Sequence, residues 1–241
     1  MKRRNYLMAL FMLTIGTVNA SNFVTIKGEN LMDANGKKLY IVGTNLGNWL
    51  NPEGYMFDFK KTNCEWMIND MVCELAGPDF AREDYMGKND ETEGFKQMDK
   101  VIDWCRKYDL HLILDMHDCP GGQTGDNIDN GHGYPWLFES EASQQLFCQI
   151  WQKIASRYKD EPVILGYELM NEPIATMFSD SLRAALNAKL EPLYKRATKA
   201  IREVDLNHII LLGGAQWNGN FEPFCDWKFD DKIMYTCTWA R

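Results

Sequence analysis

"ILGYELMNEP", Ile164 to Pro173, opens on an apolar run and ends in an Asn-Glu pair closed by proline. The run is too short for an ordinary helix and is bounded by polar residues and proline, so it reads as a buried strand that ends in a loop. Glu172 is then expected at the carboxyl end of that strand. Working outward, strands and helices alternate. "LHLILDMH", residues 110–117, reads as a strand, and "SQQLFCQIWQKIASRY", residues 143–158, as a helix with Leu146, Ile150 and Ile154 in register. After the quoted strand come a helix ending in "ATKAIREVD", the strand "HIILLGG" and a last strand in "KIMYTCTW". Toward the amino terminus, "FVTIKGENLMDANGKKLYIVG" is a hairpin turned by Asn35-Gly36, whose second half is expected to run into a strand ending near Asn45. Two helices follow, over Asn63 to Ala76 and over Glu93 to Tyr108, the second with Phe95, Met98, Val101, Ile102 and Cys105 on one face. This alternation implies an α/β fold with a parallel sheet, and repeated units of this length favour a (β/α)8 TIM barrel over an open sheet.

Composition narrows the function. The chain has 241 residues, 45% of them hydrophobic, and no linker-like or low-complexity stretch divides it, so one domain with one sizeable core is expected. The balance of 26 basic against 34 acidic residues gives net charge -8, which argues against a nucleic-acid partner. A neutral ligand is easier to accommodate, and a monomer is expected. Only four histidines are present (His111, His117, His132 and His208), none in a ligand pair such as HxH or HExxH, so neither metal nor cofactor is expected.

The first segment, "MKRRNYLMALFMLTIGTVNAS", joins a basic start to an apolar stretch from Tyr6 to Ile15 and a small-residue site "VNA". It reads as a signal peptide over residues 1–20, which makes the mature chain from residue 21 secreted, periplasmic or extracellular. The apolar stretch is well under the roughly 20 residues that a spanning helix needs, so no membrane association is expected after its removal. Seven cysteines carry no CxxC or Cys/His spacing. Cys64 and Cys73 lie nine positions apart on one expected helix, about 13 Å at 1.5 Å per residue and beyond disulfide reach. Free thiols are expected.

Several strands end in groups able to do chemistry: Asn45, His117 with Asp118, Asn171 with Glu172, and Gln216 with Trp217. Taken alone, Glu172 is equally well a solvated loop acid, and Trp49, Trp136 and Trp217 are ordinary packing residues. Asp115, two residues before His117, reads as a hydrogen-bonded core acid. Collected at the carboxyl ends of successive strands, these groups form a barrel's active site.

These residues carry a resemblance. "LGYELMNEPI" resembles the signature of glycoside hydrolase family 5, and "GTNLGNWLNPEGY", "LDMHDCPGGQTGDN" and "NHIILLGGAQWN" resemble its exo-β-1,3-glucanase and β-glucanase branch. The resemblance implies a glycosidase-type barrel that acts on β-glucosidic linkages of a glucan by a retaining mechanism. That chemistry needs two carboxyl groups about 5 to 5.5 Å apart, one acid and one nucleophile. Glu172 takes the acid/base position, Asn171 and His117 contact the sugar, Glu53 matches an acidic sugar contact, and Trp136, Trp217 and Tyr235 are candidate substrate-binding aromatics. A β-glucan polysaccharide or oligosaccharide is the implied partner; linkage, including β-1,4-glucan or mannan, stays open.

The departures from the family pattern are as specific. The nucleophile of the family is a glutamate at the end of its seventh strand, and this sequence reaches Arg241 just after what reads as the sixth. Glu168 shares the face of Glu172 but stands four residues away, roughly 13 Å along a strand and too far for the pair. Glu222 lies on a loop with no reason to aim at Glu172. Between the first two helices, "AGPDFAREDYMGKNDET" has no apolar run able to form the second strand, and "YTCTWAR" places Thr238 where the family has histidine. The expectation is an internally deleted, C-terminally truncated member with strands two, seven and eight of the barrel missing. Five strands would remain, too few for closure, and a glucan-binding remnant without turnover is the alternative to an active hydrolase.

Overall fold

The computed structural model describes residues 22–47, 51–76, 91–126, 128–129 and 131–237. The expected signal peptide, Trp49, Thr238 and residues 77–90 of the loop expected between Ala76 and Glu93 lie outside the described residues; the last two positions of that loop, 91–92, are helical.

The chain begins with an antiparallel sheet of three short strands, β1 (Thr25–Lys27), β2 (Asn30–Met32) and β3 (Lys38–Leu39). The β2–β3 turn is the one expected at Asn35-Gly36. Asp33 Oδ1 accepts from the backbone N–H groups of Asn35 and Lys37 at 2.9 and 2.8 Å, and Gly36 supplies φ +73°. Two helices follow, α1 (Glu65–Ala76) and α2 (Glu91–Tyr108). Four parallel strands then alternate with two long helices: β4 (Leu112–Asp115), α3 (Glu141–Tyr158), β5 (Ile164–Glu168), α4 (Asp180–Arg202), β6 (Ile209–Gly213) and β7 (Ile233–Thr236). The strands are in sequential order, β4-β5-β6-β7, as successive βα units require. Ser140 and Ser179 cap α3 and α4 by accepting from the N–H groups of Ser143 and Leu182.

The two faces of this sheet bury different partners, and β6 shows the alternation directly. Ile210 and Leu212 belong to the large core beneath α3 and α4, with Trp151, Tyr167 and Tyr194. Ile209 and Leu211 face the other way and pack with Leu165, Val24, Ile26, Leu31 and Leu39, so the amino-terminal strands cover the lower part of the concave face. Gly166 is required by close approach: a Cβ there would lie 2.4 Å from the Ile209 carbonyl oxygen and 2.6 Å from Leu211 Cδ1.

Four expectations are corrected. The strand ending near Asn45 does not form: residues 40–46 have no ladder partner, and Tyr40, Ile41 and Val42 are 73, 51 and 95% exposed. An apolar run becomes a strand only when neighbours accept its hydrogen bonds, and the described residues supply none beside it. Among the described residues the parallel sheet therefore has four strands rather than the five expected. In α3 the buried stripe is Phe147, Trp151, Ala155 and Tyr158, while Leu146 is exposed, because the bulky aromatic side chains set which way the helix turns. Asp115 is exposed rather than a core acid, since β4 has a neighbour on one side only among the described residues.

All seven cysteines are free, and no helix among the described residues is long and apolar enough to cross a membrane.

Candidate active site

The site grows out of the junction of β4 and β5. In register, Asp115 pairs with Glu168, and the ladder continues past both strands: Met116 N–H donates to Glu168 O at 3.2 Å, and Asn171 N–H donates to Met116 O at 3.1 Å. This continuation sets His117 beside Asn171, and the His117 Nε2 lies 3.3 Å from the Asn171 side-chain amide. Glu53, 3% exposed, brings its Oε1 to 3.4 Å from the same ring nitrogen, while His117 Nδ1 meets Asp115 Oδ2 at 2.8 Å. Burial alone would pull the imidazole pKa down, but hydrogen bonds and charge from Asp115 and Glu53 outweigh it and lift the ring to about 10. His117 is therefore an imidazolium at neutral pH, clamped between two carboxylates.

Glu172 follows Asn171 and lies four residues beyond the end of β5, in the left-handed region with φ +45°. For a non-glycine residue that conformation is strained, by about 1–3 kcal/mol. Glu168 points to the same concave side, accepts from the Thr236 hydroxyl at 2.9 Å, and is raised to about 7 by burial and then by Asp115. Asp118 is likewise pushed up to about 7 by burial, with Asp129 and Glu65 adding to it.

Trp217 stands beside the segment after Glu172. Gln216, Trp217 and Asn218 are all left-handed, with φ of 51, 62 and 61°, in a turn closed by reciprocal 2.8 Å backbone bonds between Ala215 and Asn220. The indole N–H of Trp217 donates to Thr176 Oγ1 at 3.2 Å. Gln216, by contrast, is occupied by an amide pair with Asn187. Trp136 is 51% exposed and packs against Tyr134 at 4.8 Å between ring centroids. Tyr235 is not brought to the cleft. Its ring lies on the helix side of β7 among Phe221, Phe224 and Trp227, and Thr236 is the residue that faces Glu168. Strand alternation explains this, because neighbours on one strand point to opposite faces. Asn45, on the unpaired segment, is exposed.

The sequence reading missed a residue beside Glu53. Tyr55 sits on a 3-10 turn, Gly54–Phe57, and hydrogen-bonds Glu53. Burial raises its pKa, and the charges of Glu53 and Glu172 raise it further. The signal was its position two residues after Glu53. Its direction depends on Gly54, where a Cβ would lie 2.0 Å from Thr62 O.

Chemically, the arrangement offers a carboxyl group, an amide, an imidazolium and a phenol around one opening, which suits a neutral polyol ligand. Among the described residues near this opening, Glu53 and Asp115 are engaged by His117 and Glu168 by Thr236, whereas Asp118 Oδ1 is buried without a hydrogen-bond partner. No cluster of three or more metal-ligating groups occurs among them.

Residues 32–237 match the family model described as cellulase, glycosyl hydrolase family 5. The chain belongs to glycoside hydrolase family 5. Among similar proteins, endoglucanase C of Acetivibrio thermocellus is 32% identical over 208 residues, which cover 80% of this chain and 55% of that one. A β-xylosidase of Phanerodontia chrysosporium is 26% identical over 242 residues, covering 85% and 48%. The chain thus spans about half the length of the curated relatives it matches. In structure it is similar to a β-glucanase of Saccharophagus degradans, with TM-score 0.59, 19% identity, and coverage of 90% of this chain and 61% of that one. The family-5 fold is a (β/α)8 barrel, and the parallel sheet described here is an arc of it that does not close among the described residues.

Proposed function

We propose that this chain carries the acid/base half of a retaining family-5 site for β-glucans, and that on its own it binds glucan without hydrolysing it. The observation that supports this reading most is the convergence of Asn171-Glu172 with His117 and Glu53 where β4 and β5 end. Glu172 is assigned as the acid that protonates the leaving oxygen, and Asn171 as the hydrogen-bond partner of the sugar hydroxyl next to the reacting carbon. His117, charged and fixed, together with Glu53 and Tyr55, orients the remaining hydroxyls, and Trp217 and Trp136 offer faces on which a pyranose ring can stack. The relatives named endoglucanase and β-glucanase support a glucan as the ligand class. Export from the cytoplasm, read from residues 1–20, is part of the same proposal.

General acid catalysis contributes about 10² to 10⁴-fold, whereas enzymes typically supply 10⁶ or more in total. Acid catalysis from Glu172 alone therefore falls short of measurable turnover. Affinity electrophoresis in gels containing laminarin, carboxymethylcellulose or galactomannan tests the reading and ranks the linkages. Retardation by at least one β-glucan, kept in Glu172→Gln and lost in Asn171→Ala, is the expected result. Equal mobility in every gel would refute it.

A further inference from the structure

Gln123 is a fully buried residue on the loop after β4 that no part of the proposed chemistry uses. Its side-chain amide nitrogen donates to two backbone carbonyls, that of His117 at 2.8 Å and that of Asn171 at 2.9 Å. Its amide oxygen accepts from Cys119 N–H at 3.0 Å, and its own backbone carbonyl accepts from Ile174 N–H at 2.9 Å. Four bonds from one residue thus reach the loops after both strands.

Their placement is selective. Asn171 and Ile174 flank Glu172, and both Glu172 and Ile174 are left-handed, with φ of 45° and 59°. Left-handed backbone at a non-glycine residue persists only where the surroundings over-determine it. Gln123 supplies that constraint on either side of Glu172, with its side chain before the turn and its backbone after it. The same amide nitrogen fixes the carbonyl of His117, the residue whose ring faces Asn171.

We infer that Gln123 is a positioning residue: it holds the strained turn of Glu172 and the backbone of His117 in one frame, and so sets the angle between the Glu172 carboxyl and the His117 ring. This deepens the assignment of Glu172 and rests on it. Glutamine suits the task because it alone among uncharged side chains of this reach gives two N–H donors and one acceptor from one plane. Methionine of similar length would fill the space and make none of the bonds.

The test is Gln123→Met in the full chain, read in two ways. Ring resonances of His117, assigned by difference against His117→Gln among only four histidines, report the titration midpoint. A fall of one pH unit or more from its elevated position is expected, whereas an unchanged midpoint would overturn the inference. This readout needs no ligand, so it stands even if glucan binding, and with it the assignment of Glu172, fails. The second reading is thermal stability in a double-mutant cycle with Glu172→Gly, which removes the left-handed strain. The Tm loss caused by Gln123→Met is expected to shrink by a third or more in the Glu172→Gly background, while equal losses would mark Gln123 as a general structural pin. If Gln123→Met does not fold, folding of the double variant supports the inference, and failure of both contradicts it.

Discussion

At the scale of single residues, the account rests on His117 and the two carboxylates that hold it. Its folded pKa, about 10, lies above the 6.5 of an unconstrained imidazole. The sign of the linkage follows: the charged ring stabilises the fold fully below pH 6.5, and that contribution is lost as pH rises from 6.5 toward 10. Chemical denaturation of the chain is expected to show declining stability across that window, and the decline is expected to flatten in His117→Gln. Equal slopes in both proteins would refute the clamp. The residue scale is also where the sequence was most informative. "MNEP" and "MHD" single out Asn171, Glu172 and His117 only when taken together at the ends of successive strands, where the structure brings His117 beside Asn171. Tyr55 and Gln123 were not legible, because what they do depends on loop geometry that no spacing rule encodes. Tyr235 was misplaced by one position, and on a strand one position is a change of face.

At the scale of elements, strands and helices were readable wherever an apolar period of sufficient length met a neighbour to pack on. Strand β5 and helix α2 are examples, with Val101, Ile102 and Cys105 all buried as their spacing required. Helix α3 existed as expected and Ile154 packs on the core, but the fully buried stripe runs through Phe147, Trp151 and Ala155 rather than Leu146. Phe147 is fully buried and Leu146 is 48% exposed, so adjacent residues make a direct test of that rotation. Phe147→Ala is expected to cost about 3–5 kcal/mol, the range for deleting a buried aromatic side chain. Leu146→Ala is expected to stay within about 0.5 kcal/mol, as exposed substitutions do. Denaturant midpoints with unchanged m-values would measure both, and the reverse ranking would mean that the helix is turned by about 100°. Residues 40–46 failed as a strand for a reason outside their own sequence. Their apolar pattern is suitable, but a ladder requires partners, and pattern alone does not supply them.

At the scale of the whole molecule, the sheet is an arc held by the helices on one face and the amino-terminal strands on the other. Its lower rim is fastened by a buried network: Tyr167 donates to Asp205 Oδ2 at 2.8 Å, His208 Nδ1 lies 2.5 Å from the same oxygen, and Arg202 bonds Asp230 and the carbonyls of Asp205 and His208. Burial pushes the Asp205 carboxyl up, but His208, the Asn207 N–H and Tyr167 outweigh it, so its folded pKa lies below the ordinary aspartate value. That contribution is present above pH ~4 and is lost as pH falls below the folded value. Asp205→Asn is expected to weaken the fold at pH 6 and to reduce the steepness of acid unfolding, and acid curves that superimpose would contradict the network's role. The barrel class was legible from strand and helix alternation, and the family from its motifs. The expectation that no strand forms between α1 and α2 falls on residues 77–90, which lie outside the described residues. The central claim is that this chain presents a glucan site that binds and does not cleave. Native mass spectrometry of the full chain, incubated overnight with cellotetraose or laminaritetraose, reads both halves of that claim at once. The expected spectrum shows protein carrying one intact tetrasaccharide and no shorter sugars. Shorter products that vanish in Glu172→Gln, or no bound sugar of either linkage, would contradict it.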